Sequence, residues 1–143
     1  LEVGCGLALA SLVIHRRDGD VTASDCHPLV PEFLARNLAL NLLGAMPYQA
    51  ANWARASATL GRFDLIIGSD VLYERAPSEH LSRFLVDHLE GDGQIVLVDP
   101  NRGERARFSR AMGDRGFAVS TTAVAHAPGL DERYRGRLLR YAR

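Results

Sequence analysis

Five acidic or amide-bearing stretches are spaced so that a nucleotide-like ligand could be held by one chain edge. The first, Leu1-Glu2-Val3-Gly4-Cys5-Gly6-Leu7-Ala8, sets two glycines between a short apolar lead and a helical stretch. A side-chain-poor turn there lets the backbone approach a ligand closely and points free helix N–H groups at it. Asp25 follows 23 residues after Glu2 at the end of an apolar strand, where a carboxylate can accept from two ribose hydroxyls. It would equally serve as a turn former in Asp25-Cys26-His27-Pro28. Asn52-Trp53 comes after a third strand-like run, where a lone Trp reads readily as core. Asp70 and Tyr73 lie directly beyond a fourth strand, with a helix N-cap as the bland alternative for Asp70. Asp99 ends a fifth. No metal-type spacing of Cys and His is present, so no metal site is expected.

The dinucleotide fingerprint G-x-G-x-x-G requires a third glycine where this chain has Leu9, which disfavours NAD. The pattern E-x-G-x-G-x-G fits better, as Glu2, Gly4 and Gly6 with Ala8 in the last glycine's place. That stretch resembles the first motif of class I, seven-strand S-adenosylmethionine-dependent methyltransferases. Asp70-Val71-Leu72-Tyr73 is similar to the D-x-x-Y mark of the methyltransferase-like protein-lysine methyltransferases. Asp25-Cys26-His27-Pro28, Arg36-Asn37-Leu38-Ala39-Leu40-Asn41 and Asp99-Pro100-Asn101-Arg102-Gly103 add to the resemblance, which spans most of residues 1–116. It implies S-adenosylmethionine as cofactor, held by Glu2, Gly4, Gly6, Asp25, Asn52, Trp53 and Asp70. It also implies catalytic roles for Asp70 and Tyr73, and methyl transfer to a protein side chain, lysine above all. A small-molecule methyltransferase and a non-catalytic cofactor-binding or scaffold module of the same fold stay open.

The elements that must position these residues follow from periodicity. Helical patterning covers 7–17, 29–43, a stretch from Pro77 to about Gly91, and 103–115. Short apolar runs at 19–25, 46–53, 62–70 and 93–100 read as strands. The run at 62–70 has the continuous apolar centre of a strand buried on both faces. Residues 117–127 and 136–143 flank the turn region 128–135 and read as an antiparallel pair. The expectation is therefore one α/β domain over 1–143: a Rossmann-like doubly wound sheet, mostly parallel, closed by a C-terminal hairpin. Only Leu1-Glu2-Val3 precede the first glycine, whereas strands usually run about 5–6 residues. The first strand is thus expected to be truncated, with an N-terminal segment missing.

Composition sets bounds on the rest. Of 143 residues, 47% are hydrophobic and 24% charged, with 17 basic and 17 acidic side chains and every basic one an arginine. Charge is uneven: residues 1–101 carry 7 Arg against 13 acidic residues, net −6, and residues 102–143 carry 10 Arg against 4, net +6. A neutral chain gives no reason to expect nucleic acid. No apolar run approaches the ~20 residues of a membrane span, so no membrane partner is expected. Two cysteines without metal spacing suit a reducing, cytoplasmic setting. A protein or small-molecule substrate is the expected partner.

Overall fold

The computed structural model describes residues 1–55, 59–73, 77–101, 103–124 and 134–143. Glu74, Arg102 and residues 128–133 of the expected terminal turn lie outside them. The elements run β1 (Glu2–Val3), α1 (Leu9–Arg16), β2 (Ala23–Asp25), α2 (Val30–Leu40), β3 (Tyr48–Ala50), β4 (Phe63–Ser69), α3 (Pro77–His88), β5 (Leu89–Asp99), α4 (Arg105–Gly113), β6 (Ala118–Val124) and β7 (Gly136–Ala142).

Seven strands form one sheet in the order β3-β2-β1-β4-β5-β7-β6. β1 pairs in parallel with β2 and β4, β2 with β3, and β4 with β5; β7 is antiparallel to both β5 and β6. This is the Rossmann-like methyltransferase fold expected from the sequence. The order reverses at β1, where ligands of open α/β sheets lie, outside the strands' carboxyl ends. Right-handed crossovers running opposite ways from that point put the two helix pairs on opposite faces. Accordingly α1 and α2 share a core with β2 through Leu12, Ala23, Leu34 and Leu38. α3 and α4 share another with β1, β4, β5 and β7 through Val3, Ile66, Leu85, Ile95, Phe108 and Tyr141.

Three expectations are corrected. β4 is not buried on both faces: Ile66 is fully buried, while its neighbour Leu65 is 45% exposed. Period-two alternation, rather than a run of apolar residues, decides which side meets the helices. β5 begins at Leu89, next to the last residue of α3, because Phe63 pairs with Leu89 across a register shift before the ladder resumes at Leu65 and Gln94. The third strand shrinks from 46–53 to three residues: the Ala51 amide still donates to the Asp25 carbonyl at 3.0 Å, but beyond it the chain turns, with the Arg55 amide donating to the Asn52 carbonyl at 2.9 Å.

β1 is short but anchored in the sheet. The Leu1 α-amino group donates to the Leu65 carbonyl at 2.9 Å, and the Ile67 amide donates to the Leu1 carbonyl at 2.8 Å. Adjacent side chains of a strand face opposite ways, so Val3 enters the α3 core while Glu2 turns towards α1.

Candidate active site

The β1–α1 turn is built from backbone conformations that L side chains rarely adopt. Gly4 has φ 59°, Gly6 φ 51° and Ala8 φ 57°, all in the left-handed region. A Cβ on Gly4 would lie 3.0 Å from Val71 Cγ1 and 3.2 Å from Trp53 Cζ2, whereas one on Gly6 would meet nothing within 4 Å. Gly4 is therefore required by internal packing, and Gly6 fronts open space. Ala8 sits where the motif has glycine, yet it keeps the left-handed geometry and buries its methyl completely. The small-for-small change is accommodated at the cost of backbone strain.

Asp25 ties this turn to β2. One carboxylate oxygen accepts from the Gly6 amide and the other from the His27 amide, both at 2.9 Å. Each oxygen keeps a further lone pair. Asn52 closes a local turn, its Oδ1 accepting from the Ala54 amide at 3.0 Å, which leaves its NH2 group to donate. Asp70 directly follows β4 at φ 56°, its amide donating to the Val98 carbonyl at 2.8 Å. It cannot be a helix cap as the sequence allowed, because α3 starts at Pro77 and a cap residue has extended backbone.

A cavity of about 290 Å³ collects these groups. Gly4, Asp25, Asn52, Trp53, Asp70 and Tyr73 all line it. Trp53 serves both of its readings, packing on the α3 core and forming a wall. Tyr73 is 54% exposed at the mouth. Cys26, Ala54, Val71 and His80 complete the lining, and the sequence had not marked them. Cys26 and Val71 could have been suspected as the neighbours of two acidic strand ends; His80, from α3, carried no signal.

Two acidic residues expected near the strand ends stand apart. Glu2 is buried behind the turn, where Oε2 accepts from the Ser11 amide at 2.8 Å and from the Ser11 hydroxyl. Burial is the chief reason its carboxyl is pushed above the usual range, with the Ser11 bonds acting against the rise. Its visible task is to brace the turn onto α1. Asp99 is 1% exposed within β5, opposite Arg137 of β7, and does not reach the cavity wall. Burial, with Glu2 and Asp25 behind it, pushes the Cys5 thiol up to about 12.

A family model described as lysine methyltransferase matches residues 1–112. The chain belongs to this lysine methyltransferase family. It is 29% identical over 115 residues to a protein N-lysine methyltransferase METTL21A of Xenopus tropicalis, a match covering 77% of this chain and 50% of the relative. The chain thus spans about half the length of that curated relative. Among solved structures, a methyltransferase from Pyrococcus furiosus superposes with a TM-score of 0.78 at 19% identity, covering 99% of this chain and 74% of the other. Magnesium protoporphyrin IX methyltransferase from Synechocystis PCC 6803, solved with bound SAM, superposes at 0.74 with 20% identity, covering 99% and 68%. At such identities these likenesses speak for the methyltransferase fold alone. Among the described residues of this family member, no helix is long and apolar enough to cross a membrane.

Proposed function

We propose that the chain is the core of a methyltransferase that uses S-adenosylmethionine and acts on a lysine side chain of a protein. The observation that carries this reading is the cavity at the reversal point of the sheet, where Gly4, Asp25 and Asp70 meet in a member of the lysine methyltransferase family. The residues fit the cofactor. Gly6 offers bare backbone to open space, Asp25 retains acceptor capacity for ribose hydroxyls, and Trp53 and Val71 supply apolar walls for a base.

When bound, the cofactor would supply an electrophilic methyl carbon on a sulfonium, the bond from the nucleophile forming in line as the C–S bond breaks and S-adenosylhomocysteine leaves. The chain's part is to hold and orient, and orientation of this kind is worth ~7–11 kcal/mol. Lysine must arrive neutral, which from a free pKa of ~10.4 costs about 4.6 kcal/mol at pH 7. An apolar wall and a nearby positive charge lower that cost, whereas the Asp70 carboxylate raises it by favouring the ammonium. Asp70 is therefore assigned to anchoring the amine and Tyr73 to shaping the mouth, neither as general base. Glu2 supports the cofactor turn through Ser11 rather than by direct contact.

Incubation with radiolabelled S-adenosylmethionine and a cell lysate tests the reading. Label retained in a protein band, released on hydrolysis as methyl-lysine, supports it. Label confined to small molecules points instead to a small-molecule methyltransferase, and binding without transfer to a non-catalytic module.

A further inference from the structure

Behind Trp53 lies a second and larger hollow of about 580 Å³, between the chain leaving β3 and helix α3. Trp53, Ala54 and His80 line both hollows, so the two are neighbours across one wall. Its polar lining is lopsided. Arg55, Arg62, Arg83, His80 and His88 face it against one carboxylate, Asp87, a net charge of +2 with the histidines neutral. Some of this charge has structural work: Arg62 donates to the Leu89 carbonyl at 3.1 Å, and Arg83 Nε lies 3.7 Å from Asp87. His88 Nδ1, 2.7 Å from the Gly61 carbonyl oxygen, must carry the proton between them. Arg55, Arg83 and His80 are nevertheless exposed at the hollow's edge, with Phe84 forming part of its apolar wall.

The whole chain carries 17 basic and 17 acidic side chains, so the positive excess of this pocket is local. A short acidic segment matches a local positive field of this size, whereas a long polyanion would extend beyond it. We infer that this hollow docks an acidic segment flanking the target lysine of a protein substrate. The inference rests on the lysine reading above and adds a recognition rule to it. The lysine enters beside Asp70 and Tyr73, and glutamates or aspartates a few positions along meet Arg55 and Arg83 beyond Trp53.

The test uses two fluorescein-labelled peptides of equal length, each with one lysine, flanked by Glu and Asp in one and by Gln and Asn in the other. Polarisation is measured at low salt with S-adenosylhomocysteine present. The acidic peptide should bind at least tenfold tighter. The double variant Arg55→Ala/Arg83→Ala should weaken it by about fivefold per pair removed, the upper end for exposed ion pairs, so about 25-fold in all. S-adenosylhomocysteine affinity, followed by Trp53 fluorescence, should not change. Equal binding of the two peptides, or an unchanged acidic peptide on the double variant, overturns the inference. So does displacement of the acidic peptide by an RNA oligonucleotide at a lower concentration than that of unlabelled peptide. In a parallel assay with labelled S-adenosylmethionine in place of S-adenosylhomocysteine, equal methylation of both peptides defeats the docking rule and leaves the lysine reading standing. Selective binding of the acidic peptide without methylation supports docking while removing lysine as the acceptor.

Discussion

Gly4 and Gly6 share a backbone conformation but differ in surroundings, so substituting each by alanine separates folding from binding. An alanine in the left-handed region costs about 1–2 kcal/mol, offset by about 0.4–1 kcal/mol because alanine stiffens the unfolded chain. For Gly6→Ala nothing else is lost, since its Cβ meets no atom within 4 Å. The net cost of about 1 kcal/mol corresponds to a fall of about 2–4 °C in Tm for a chain near this size. Ala8 shows that the same turn already tolerates such strain at φ 57°. Gly4→Ala adds the intrusion on Val71 and Trp53 at 3.0 and 3.2 Å. Overpacking of that kind costs about 1–3 kcal/mol more, for a total fall of about 4–16 °C. A ligand at 100 times its Kd stabilises by about 2.7 kcal/mol, or about 5–11 °C here. Thermal melts with and without S-adenosylhomocysteine then read both effects. Gly6→Ala should melt close to the wild type yet lose most of the ligand-induced rise, because its methyl would enter the open space that the proposed function gives to the cofactor. Gly4→Ala should melt well below both. If Gly6→Ala retains the full rise, or melts as low as Gly4→Ala, the assignment of that space to the cofactor fails.

Other perturbations probe the remaining parts. Asp70→Asn keeps a residue type that tolerates φ 56°, so it should fold as wild type while transfer falls about 10²-fold, a loss of the size expected from a misplaced reactant; full turnover in a labelled-methyl assay would remove Asp70 from the chemistry. Asp25→Ala deletes acceptors for the Gly6 and His27 amides, about 1–3 kcal/mol in total, and should lower both Tm and cofactor affinity in melts and calorimetry. Glu2 has a raised folded pKa, so its contribution is complete below the unfolded glutamate range and declines as pH rises through the folded value. Glu2→Gln, which can still accept from Ser11, should therefore gain stability relative to wild type as the pH of a denaturant titration is raised from about 4 to 7; a constant difference would show that the carboxylate is not penalised by burial. A thiol reagent should modify exposed Cys26 first and spare buried Cys5 until unfolding, and bound S-adenosylhomocysteine should slow the Cys26 reaction because that side chain lines the cavity.

The alternation of short apolar runs with 3.6-period stretches was enough to read a doubly wound sheet with a terminal antiparallel pair. Strand order and the sharing of the α3 core lay beyond it, because those depend on long-range pairing such as Phe63 with Leu89. Local chemistry was legible where one residue type has one physical use. Gly4 and Gly6 form the side-chain-poor turn read from the sequence, and Asp25, Asn52, Asp70 and Tyr73 lie at one cavity. Proximity to a strand end did not suffice for Glu2 or Asp99, because alternation along a strand sends each side chain to one face or the other. Glu2 turned to Ser11, and Asp99 into the region beside β7. His80 was hidden for the opposite reason: a solvated helix residue gains its place only when α3 folds beside Trp53.

The most direct trial of the account is a crystal structure of this chain with S-adenosylhomocysteine. Ligand density is expected in the cavity bounded by Gly4, Trp53 and Asp70, with both ribose hydroxyls on the Asp25 carboxylate. Density confined to the larger hollow beyond Trp53, with Asp25 untouched, would contradict it.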